Sequence, residues 1–328
     1  MSRSLRRLRL AAVLLAFPVL AAAACAGPDP DQGAAPAPAS ASGAKVNTSP
    51  EQNRVRAEKV EAIAAQVPQS IRDRGTLVVG TTGSGNPPLS FRADDDTTVI
   101  GVEPDIAQLV ADVLGLRLEL QPTSWENLFL AVESGQYDAG FSNITVTEER
   151  KDKYDFATYR VDTIALEGRT GGKVQKIEKP SDVAGLTIGV GPGTNQEQIL
   201  VRWDEQNRAA GLPPVNIQYY QNQGDFYLAL ESGRLDLYLG PNPTASYHVA
   251  TGGKTTIVGT INGGGDVQAD IAAMTKKNNQ LVGALSAALN EVITDGRYKE
   301  VLDRWNLDAE AVSTSQINPP GLPRRPAG

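Results

Sequence analysis

Phe129-Leu-Ala-Val-Glu-Ser-Gly-Gln-Tyr-Asp138 recurs later in the chain as Tyr227-Leu-Ala-Leu-Glu-Ser-Gly-Arg-Leu-Asp236. Each copy reads as an amphipathic helix ending at a glycine, Gly135 or Gly233, which takes a left-handed C-cap without a Cβ penalty. A short apolar strand follows each, at 137–141 and 235–239. Upstream of each copy a strand runs into a glycine-rich loop: Thr76-Leu-Val-Val-Gly80 before Thr81-Thr-Gly-Ser-Gly85, and Leu186-Thr-Ile-Gly-Val190 before Gly191-Pro-Gly-Thr-Asn195. Helical patterns at 105–114 and 196–208 lie between these landmarks. Strands alternating with helices imply parallel sheets covered on both faces, and ligands of such sheets sit beyond the carboxyl ends of the strands. The expectation is therefore an α/β chain of two similar lobes with mostly parallel sheets, facing each other across one cleft.

Further along, Leu281, Leu285, Leu289, Val292 and Ile293 repeat at helical spacing, Gly296 breaks the pattern, and a second short helix spans 298–305. A strand at 271–275 precedes them and should lead the chain back into the first lobe. The second lobe is then an insertion, and two crossing strands form a hinge.

The beginning of the chain reads differently. Arg3, Arg6, Arg7 and Arg9 precede an apolar run from Leu10 to Ala24 that is interrupted only by Pro18. A basic region, a short apolar region and small residues describe an export signal, and the run is short for a membrane span. The chain's one cysteine, Cys25, stands in Leu20-Ala-Ala-Ala-Ala-Cys25-Ala-Gly. This resembles a bacterial lipobox, whose cysteine becomes a lipidated N-terminus, although Ala22 replaces the commoner leucine. Simple cleavage after Ala24 with an incidental cysteine is the alternative. Residues 26–50 are rich in Ala, Pro, Gly and Ser and read as a tether. The boundaries expected are 1–24 signal, 25–50 lipidated Cys25 and tether, 51–165 first part of lobe 1 with an N-terminal helix, 166–265 lobe 2, 266–310 return to lobe 1, and 311–328 disordered tail.

Composition excludes several chemistries. The formal net charge is −7, before loss of the leader arginines, which argues against a nucleic-acid partner. His248 is the only histidine, so neither a His/Cys zinc cluster nor a Cys–His pair can be built, and His248 reads as structural. No Gly-x-Ser-x-Gly elbow occurs. Asp94-Asp-Asp96 lacks calcium-loop spacing and reads as a hairpin turn. Gly189-Val-Gly-Pro-Gly193 has Thr194 where the dinucleotide fingerprint needs its third glycine, and no P-loop Gly-Lys-Ser/Thr is present. No cofactor or metal is expected.

Taken in order, Leu77-Val-Val-Gly-Thr-Thr, Pro87-Pro-Leu-Ser-Phe91, Gly101-Val-Glu-Pro-Asp-Ile-Ala107, Thr123-Ser-Trp125, Asn143-Ile-Thr-Val-Thr-Glu-Glu-Arg150, Tyr154-Asp-Phe156, Gly193-Thr-Asn195, Asp295-Gly-Arg-Tyr298 and Trp305 resemble the polar amino-acid type of extracellular solute-binding protein, which feeds ABC importers. The resemblance implies a periplasmic-binding-protein type II fold and binding by hinge closure, without catalysis. It implies a monomer, partnered by an ABC permease and ATPase and anchored to the outer face of the cytoplasmic membrane through Cys25. A lyase or dehydratase on the same fold, or a ligand-sensing module, are the alternatives.

The resemblance assigns Arg150 to the ligand's α-carboxylate, a role that suits its planar fork of donors; a surface pair with Glu148 or Glu149 is the competing reading. Thr145 is the matching hydroxyl, two residues past Asn143. Thr194 and Asn195 should offer backbone N–H groups at a helix start. Trp125, behind a capping box of Thr123 and Glu126, either stacks on ligand or packs between helix and loop. Phe91 is a cleft aromatic or a core residue. Relatives commonly place an acid after the second repeat for the ligand's ammonium, whereas Tyr238-Leu-Gly-Pro-Asn-Pro243 has none. Asn242 could accept a hydrogen bond there, or Glu103 or Asp266 could supply the charge.

Overall fold

The computed structural model describes residues 46–83, 85 and 87–324. The leader, Cys25, most of the tether, Asn86 and residues 325–328 lie outside the described residues. Lobe 1 begins with α1 (Glu61–Ala64) and α2 (Gln69–Arg74), then β1 (Thr76–Thr81), the hairpin β2 (Phe91–Arg92) and β3 (Val99–Ile100), and α3 (Val102–Val113). It continues with β4 (Arg117–Pro122), α4 (Trp125–Ser134), β5 (Ala139–Gly140) and β6 (Tyr154–Val161). Lobe 2 holds β7 (Thr163–Arg169), β8 (Thr187–Val190), α5 (Asn195–Ala209), β9 (Asn216–Tyr219), α6 (Gln223–Glu231), β10 (Leu237–Pro241), α7 (Asn242–Gly252) and β11 (Thr255–Asn262). The chain returns through β12 (Asp270–Lys276), α8 (Val282–Thr294) and α9 (Arg297–Arg304).

The two sheets have five strands each, ordered β4-β1-β5-β12-β6 and β11-β7-β10-β8-β9. In lobe 1, β4-β1-β5 is the parallel block; in lobe 2, β10-β8-β9 is its counterpart. The sequence repeat falls at equivalent places in both: α4 into β5, α6 into β10. The sheets are mixed rather than mostly parallel, because the strands that cross between lobes run against their neighbours. β12 is antiparallel to β5 and β6, and β7 is antiparallel to β10 and β11. This is the type II arrangement of two lobes joined by two crossings. One crossing is Asp162 alone, earlier than the boundary expected at 166; the other spans 263–269. The two are tied together by Asp162 N–H to Ala269 O (2.9 Å) and Gly263 N–H to Asp162 O (2.9 Å).

Local chemistry explains the element ends. α4 ends at Gly135 (φ 81°) and α6 is followed by Gly233 (φ 78°), conformations that favour glycine. Gly101 precedes α3 with φ 129°, and a Cβ there would stand 2.2 Å from the Leu89 carbonyl oxygen. α3 is buried along most of its length: Ile106, Leu109, Val110 and Val113 have no exposure and pack with Leu285, Leu289 and Val292 of α8. Each such side chain contributes about 1.5–3 kcal/mol through burial. The turn at Asp94–Asp96 closes the β2–β3 hairpin as the sequence suggests.

Two terminal expectations need correction. Residues 46–50, assigned to the tether, already touch lobe 1, where Thr48 O accepts from Asp94 N–H at 2.9 Å. Residues 311–324, assigned to a disordered tail, are packed. Ala157 of β6 bridges to Ile317, Asn318 accepts from Phe156 N–H at 2.8 Å, and Leu322 is 1% exposed. The reason is that β6 is a sheet edge with unmet backbone groups, and prolines do not prevent a segment from covering one. This segment also reaches lobe 2, where Pro323 O accepts from Arg202.

Candidate functional site

The carboxyl ends of β1, β5, β8 and β10 point into one space between the lobes. Hydroxyls dominate the lobe 1 side. Thr81 donates to Ser90 Oγ at 2.8 Å, Thr82 N–H donates to Ser142 Oγ at 2.9 Å, and Ser142 donates back to Thr82 Oγ1 at 3.0 Å. On the lobe 2 side the glycine-rich loop turns into α5. Thr194 is the N-cap of that helix, accepting from Glu197 N–H at 3.2 Å and donating to Gly191 O at 2.7 Å. Glu197 reaches back to Gly193 N–H at 2.6 Å, so a side-chain carboxylate already meets part of the helix terminus.

The lobes are shut on each other. Gly193 O accepts from Trp125 Nε1 at 3.4 Å and from Arg150 Nη2 at 3.0 Å. Gln221 Nε2 donates to Glu126 Oε1 at 3.2 Å. Arg150 lies on the short turn after 145–149 and is buried. Its Nη1 donates to Thr145 O at 2.8 Å. Its guanidinium carbon lies 5.3 Å from the Trp125 ring centre and 5.0 Å from that of Phe129, within the range of cation–π attraction. Burial lowers its pKa to about 10 because the charge has left water, against the opposing pull of Asp162 and Glu149.

A cavity of about 280 Å³ remains between the lobes, lined by Thr82, Ser90, Ser142 and Asn143 on one side and by Thr194, Asn195, Tyr220 and Tyr238 on the other, with Trp125 between. Glu103 and Glu126 are the acids among the described lining residues, and no Lys or Arg lines it. Glu103 is engaged already. It accepts from Arg160 Nη2 at 2.5 Å and from the Tyr159 hydroxyl, while Arg160 also donates to Glu310 and, at 2.7 Å, to Asn143. Burial pushes the Glu310 carboxyl up even beside Arg160, and it drives the Tyr159 phenol well above its ordinary value.

At the hinge, Asp162 Oδ2 accepts from Thr145 Oγ1 of lobe 1 at 2.7 Å and from Asn195 Nδ2 of lobe 2 at 2.9 Å. Burial raises Asp162 to about 6, against the lowering effect of these donors and of Arg160 and Arg150. The hinge thus holds a carboxylate gripped from both lobes.

Of the expected site residues, Asn143, Trp125, Thr194 and Asn195 line the cavity, whereas Arg150 and Thr145 do not line it and Arg150 borders it through Gly193 O and the Trp125 ring. The structure assigns the side chains of Thr145 and Asn195 to Asp162 and that of Asn143 to Arg160. Phe91 is placed elsewhere: 5% exposed, it packs edge-on to Trp305 with ring centres 5.9 Å apart, in the lobe 1 core. The alternation of β2 turns it inward. Asn242 does not line the cavity; it is the first residue of α7, accepting from Ser246 at 3.4 Å. Asp266 is exposed and outside the lining. The N-cap of α4 is Ser124, which accepts from Asn127 N–H at 3.3 Å, rather than Thr123, whose N–H still extends β4 pairing to Thr81 O. His248 lies on α7 against Glu167. Sequence reasoning passed over Asp162, Arg160 and Glu167, charged residues inside strand patterns; a charge in an otherwise apolar strand was the available signal. Among the described residues no group of His, Cys, Asp and Glu could hold a metal ion.

Comparison with known proteins bears on the fold and the family. The family model described as bacterial extracellular solute-binding proteins, family 3, matches residues 77–308. The L-cystine-binding protein TcyJ of Escherichia coli (strain K12) is 32% identical over 237 residues, covering 72% of this chain and 84% of that protein. The arginine-binding protein ArgT of Corynebacterium glutamicum is 27% identical over 263 residues, 80% of this chain and 84% of its own. The solved structure of an ancestral arginine-binding protein bound to arginine superposes with a TM-score of 0.62 at 28% identity, covering 71% of this chain and 98% of that one.

Proposed function

The chain belongs to the bacterial extracellular solute-binding proteins of family 3, and we propose that it binds an amino acid or close analogue between its lobes for delivery to an ABC permease and its ATPase. The observation that carries this reading is the state of Arg150. Among the described residues its guanidinium is buried against two aromatic rings and hydrogen-bonded to carbonyl oxygens alone. Asp162 and Glu149 act on this cation without hydrogen-bonding to its guanidinium; a buried cation with no directly bonded carboxylate is costly, and a ligand α-carboxylate would supply one. Thr194 and Asn195 would complete the carboxylate's surroundings from lobe 2, and Trp125 would cover the ligand. Because Gly193 O closes onto Arg150 and Trp125, hinge opening frees both groups for an arriving ligand, and closure with ligand bound favours the form that docks on a permease.

Cys25 would carry a lipid that holds the protein at the outer face of the membrane, with the Ala/Pro/Gly/Ser-rich stretch as its leash. Cys25→Ser should release the protein into the medium, read by fractionation; retention on membranes would refute lipid anchoring.

The functional reading is tested by thermal shift against a panel of amino acids and their analogues. A ligand at about 100 times its Kd adds about 2.7 kcal/mol, which is a rise of several degrees. A rise confined to one compound class supports the reading, and no rise with any amino acid overturns it.

A further inference from the structure

Lobe 2 contains a second cavity, of about 50 Å³, directly behind the cleft wall. Phe226, Tyr238, Gly240 and Pro241 line both spaces. Its volume is several times what one water needs. Glu167, in the middle of β7 and fully buried, lines it. Tyr238 stands opposite Glu167 in the antiparallel β7–β10 pair, so both side chains leave the same face of the sheet.

The two oxygens of Glu167 differ. Oε1 accepts from Thr255 Oγ1 at 2.5 Å and faces His248 Nδ1 at 2.6 Å. Oε2 is buried with no hydrogen-bond partner among the described residues, and so is Thr244 Oγ1, which lines the same cavity. A buried acceptor carrying negative charge and left without a protein donor is costly. The walls are aromatic: Phe226 and Tyr238 stack with ring centres 3.5 Å apart and planes nearly parallel at 3°, and Tyr227 stacks on His248. Burial and the Glu167 charge keep the Tyr227 and Tyr238 phenols protonated, as both are raised, and the Tyr227 hydroxyl also bears on the Glu167 carboxylate. A carboxylate oxygen, a hydroxyl and aromatic faces around a small void suit a cation. An anion or an apolar group would leave Oε2 worse off. The cleft proper offers no comparable acid, since Glu103 is taken by Arg160 and Tyr159 and Glu126 is exposed and accepts from Gln221.

We propose that this cavity is an annex of the ligand cleft that takes a small cation, the terminal ammonium of a diamino acid, with Glu167 as counter-charge and Thr244 as second acceptor. The assignment rests on the amino-acid-binding reading above and specifies its ligand class. The partition between cleft and annex is the Phe226–Tyr238 stack with the Gly240–Pro241 backbone. The Tyr238 ring lies over Gly240, where a Cβ would stand 2.5 Å from Cε1; a swing of either ring joins the two spaces. A free ammonium or potassium ion has the same chemistry, and the experiment separates the two sources.

Calorimetric titration of the full chain compares L-lysine with L-norleucine and L-ornithine with L-norvaline, pairs that differ by the terminal ammonium. The expected result is at least tenfold tighter binding of each diamino acid, a preference erased by Glu167→Gln and reduced by Thr244→Val while norleucine and norvaline affinities stay unchanged. A second arm measures melting temperature in ammonium or potassium chloride against choline chloride. A rise with the small cations that Glu167→Gln abolishes, without any diamino preference, assigns the annex to a free ion. A diamino preference that survives Glu167→Gln, or neither a preference nor an ion effect, overturns the proposal. If no amino acid binds at all, the functional reading fails, and the ion arm still decides whether the annex takes a cation.

Discussion

Lobe 1 buries Glu103 and Glu310 on either side of Arg160, and all four carboxylate oxygens have donors: Arg160 and Tyr159 on Glu103, Arg160 and Thr163 on Glu310. Lobe 2 buries Glu167, whose Oε1 meets a hydroxyl and an imidazole while Oε2 meets nothing among the described residues. The first cluster welds the hinge strand β6 to α3 and to the turn at Asp308–Glu310. In this network every carboxylate oxygen is met, although Arg160 Nε is buried without a partner among the described residues, and such a network is expensive to break from one side. The second has spare acceptor capacity beside a cavity. Buried charge alone does not mark a binding group; what sets Glu167 apart is an unmet carboxylate oxygen that lines a cavity.

The comparison breaks first at Arg160. Arg160→Leu leaves two buried carboxylates without their shared cation and should cost about 3–5 kcal/mol, read from urea unfolding. Glu167→Gln should cost less, under about 2 kcal/mol, since it gives up hydrogen bonds to charge on one oxygen only. Equal losses would show that the two acids serve the same structural purpose.

The hinge carboxylate sharpens the contrast through pH. Asp162 is raised to about 6, above the unfolded value of about 3.9, so the folded state holds its proton more tightly. Its contribution to stability is complete below about pH 4 and is lost as pH climbs through 6, a change of at most about 3 kcal/mol. Asp162→Asn should flatten the fall in melting temperature between pH 4 and 6, leaving the remaining slope to Glu310, which burial shifts the same way. An unaltered slope would remove Asp162 from the account.

The smallest expected effects fall on two helix starts, one in each lobe. Ser124 caps α4 and Thr194 caps α5 through side-chain oxygens. Ser124→Ala and Thr194→Ala should each cost about 1 kcal/mol, measured as shifts in the unfolding midpoint. A negligible loss at either would show that the cap is met by other groups.

Much of the architecture was legible because it is local. Gly135 and Gly233 mark helix exits that the fold uses, Gly296 separates α8 from α9, and the strand–loop–helix order places Thr194 at a helix start. The cleft followed from where the parallel strands end. The mixed character of the sheets was not legible, since it depends on strands distant in sequence meeting at the hinge. Nor were the partners of Asp162, Arg160 and Glu167, each set by contacts across lobes or layers. Phe91 and Asn242 fit the cleft by position in the chain, but alternation turns the first into the core and helix initiation absorbs the second. The packed stretch from Val312 to Leu322 was misread because its prolines and polar residues carry no periodicity; what orders it is the free edge of β6.

The most direct test of the central claim is calorimetric titration of wild-type protein and Arg150→Ala with the amino acid that gives the largest thermal shift. The account predicts one site per chain in the wild type and at least a hundredfold weaker binding in the variant, because the loss of the guanidinium leaves the ligand carboxylate buried without its charge partner. Wild-type affinity in a folded Arg150→Ala protein would contradict it.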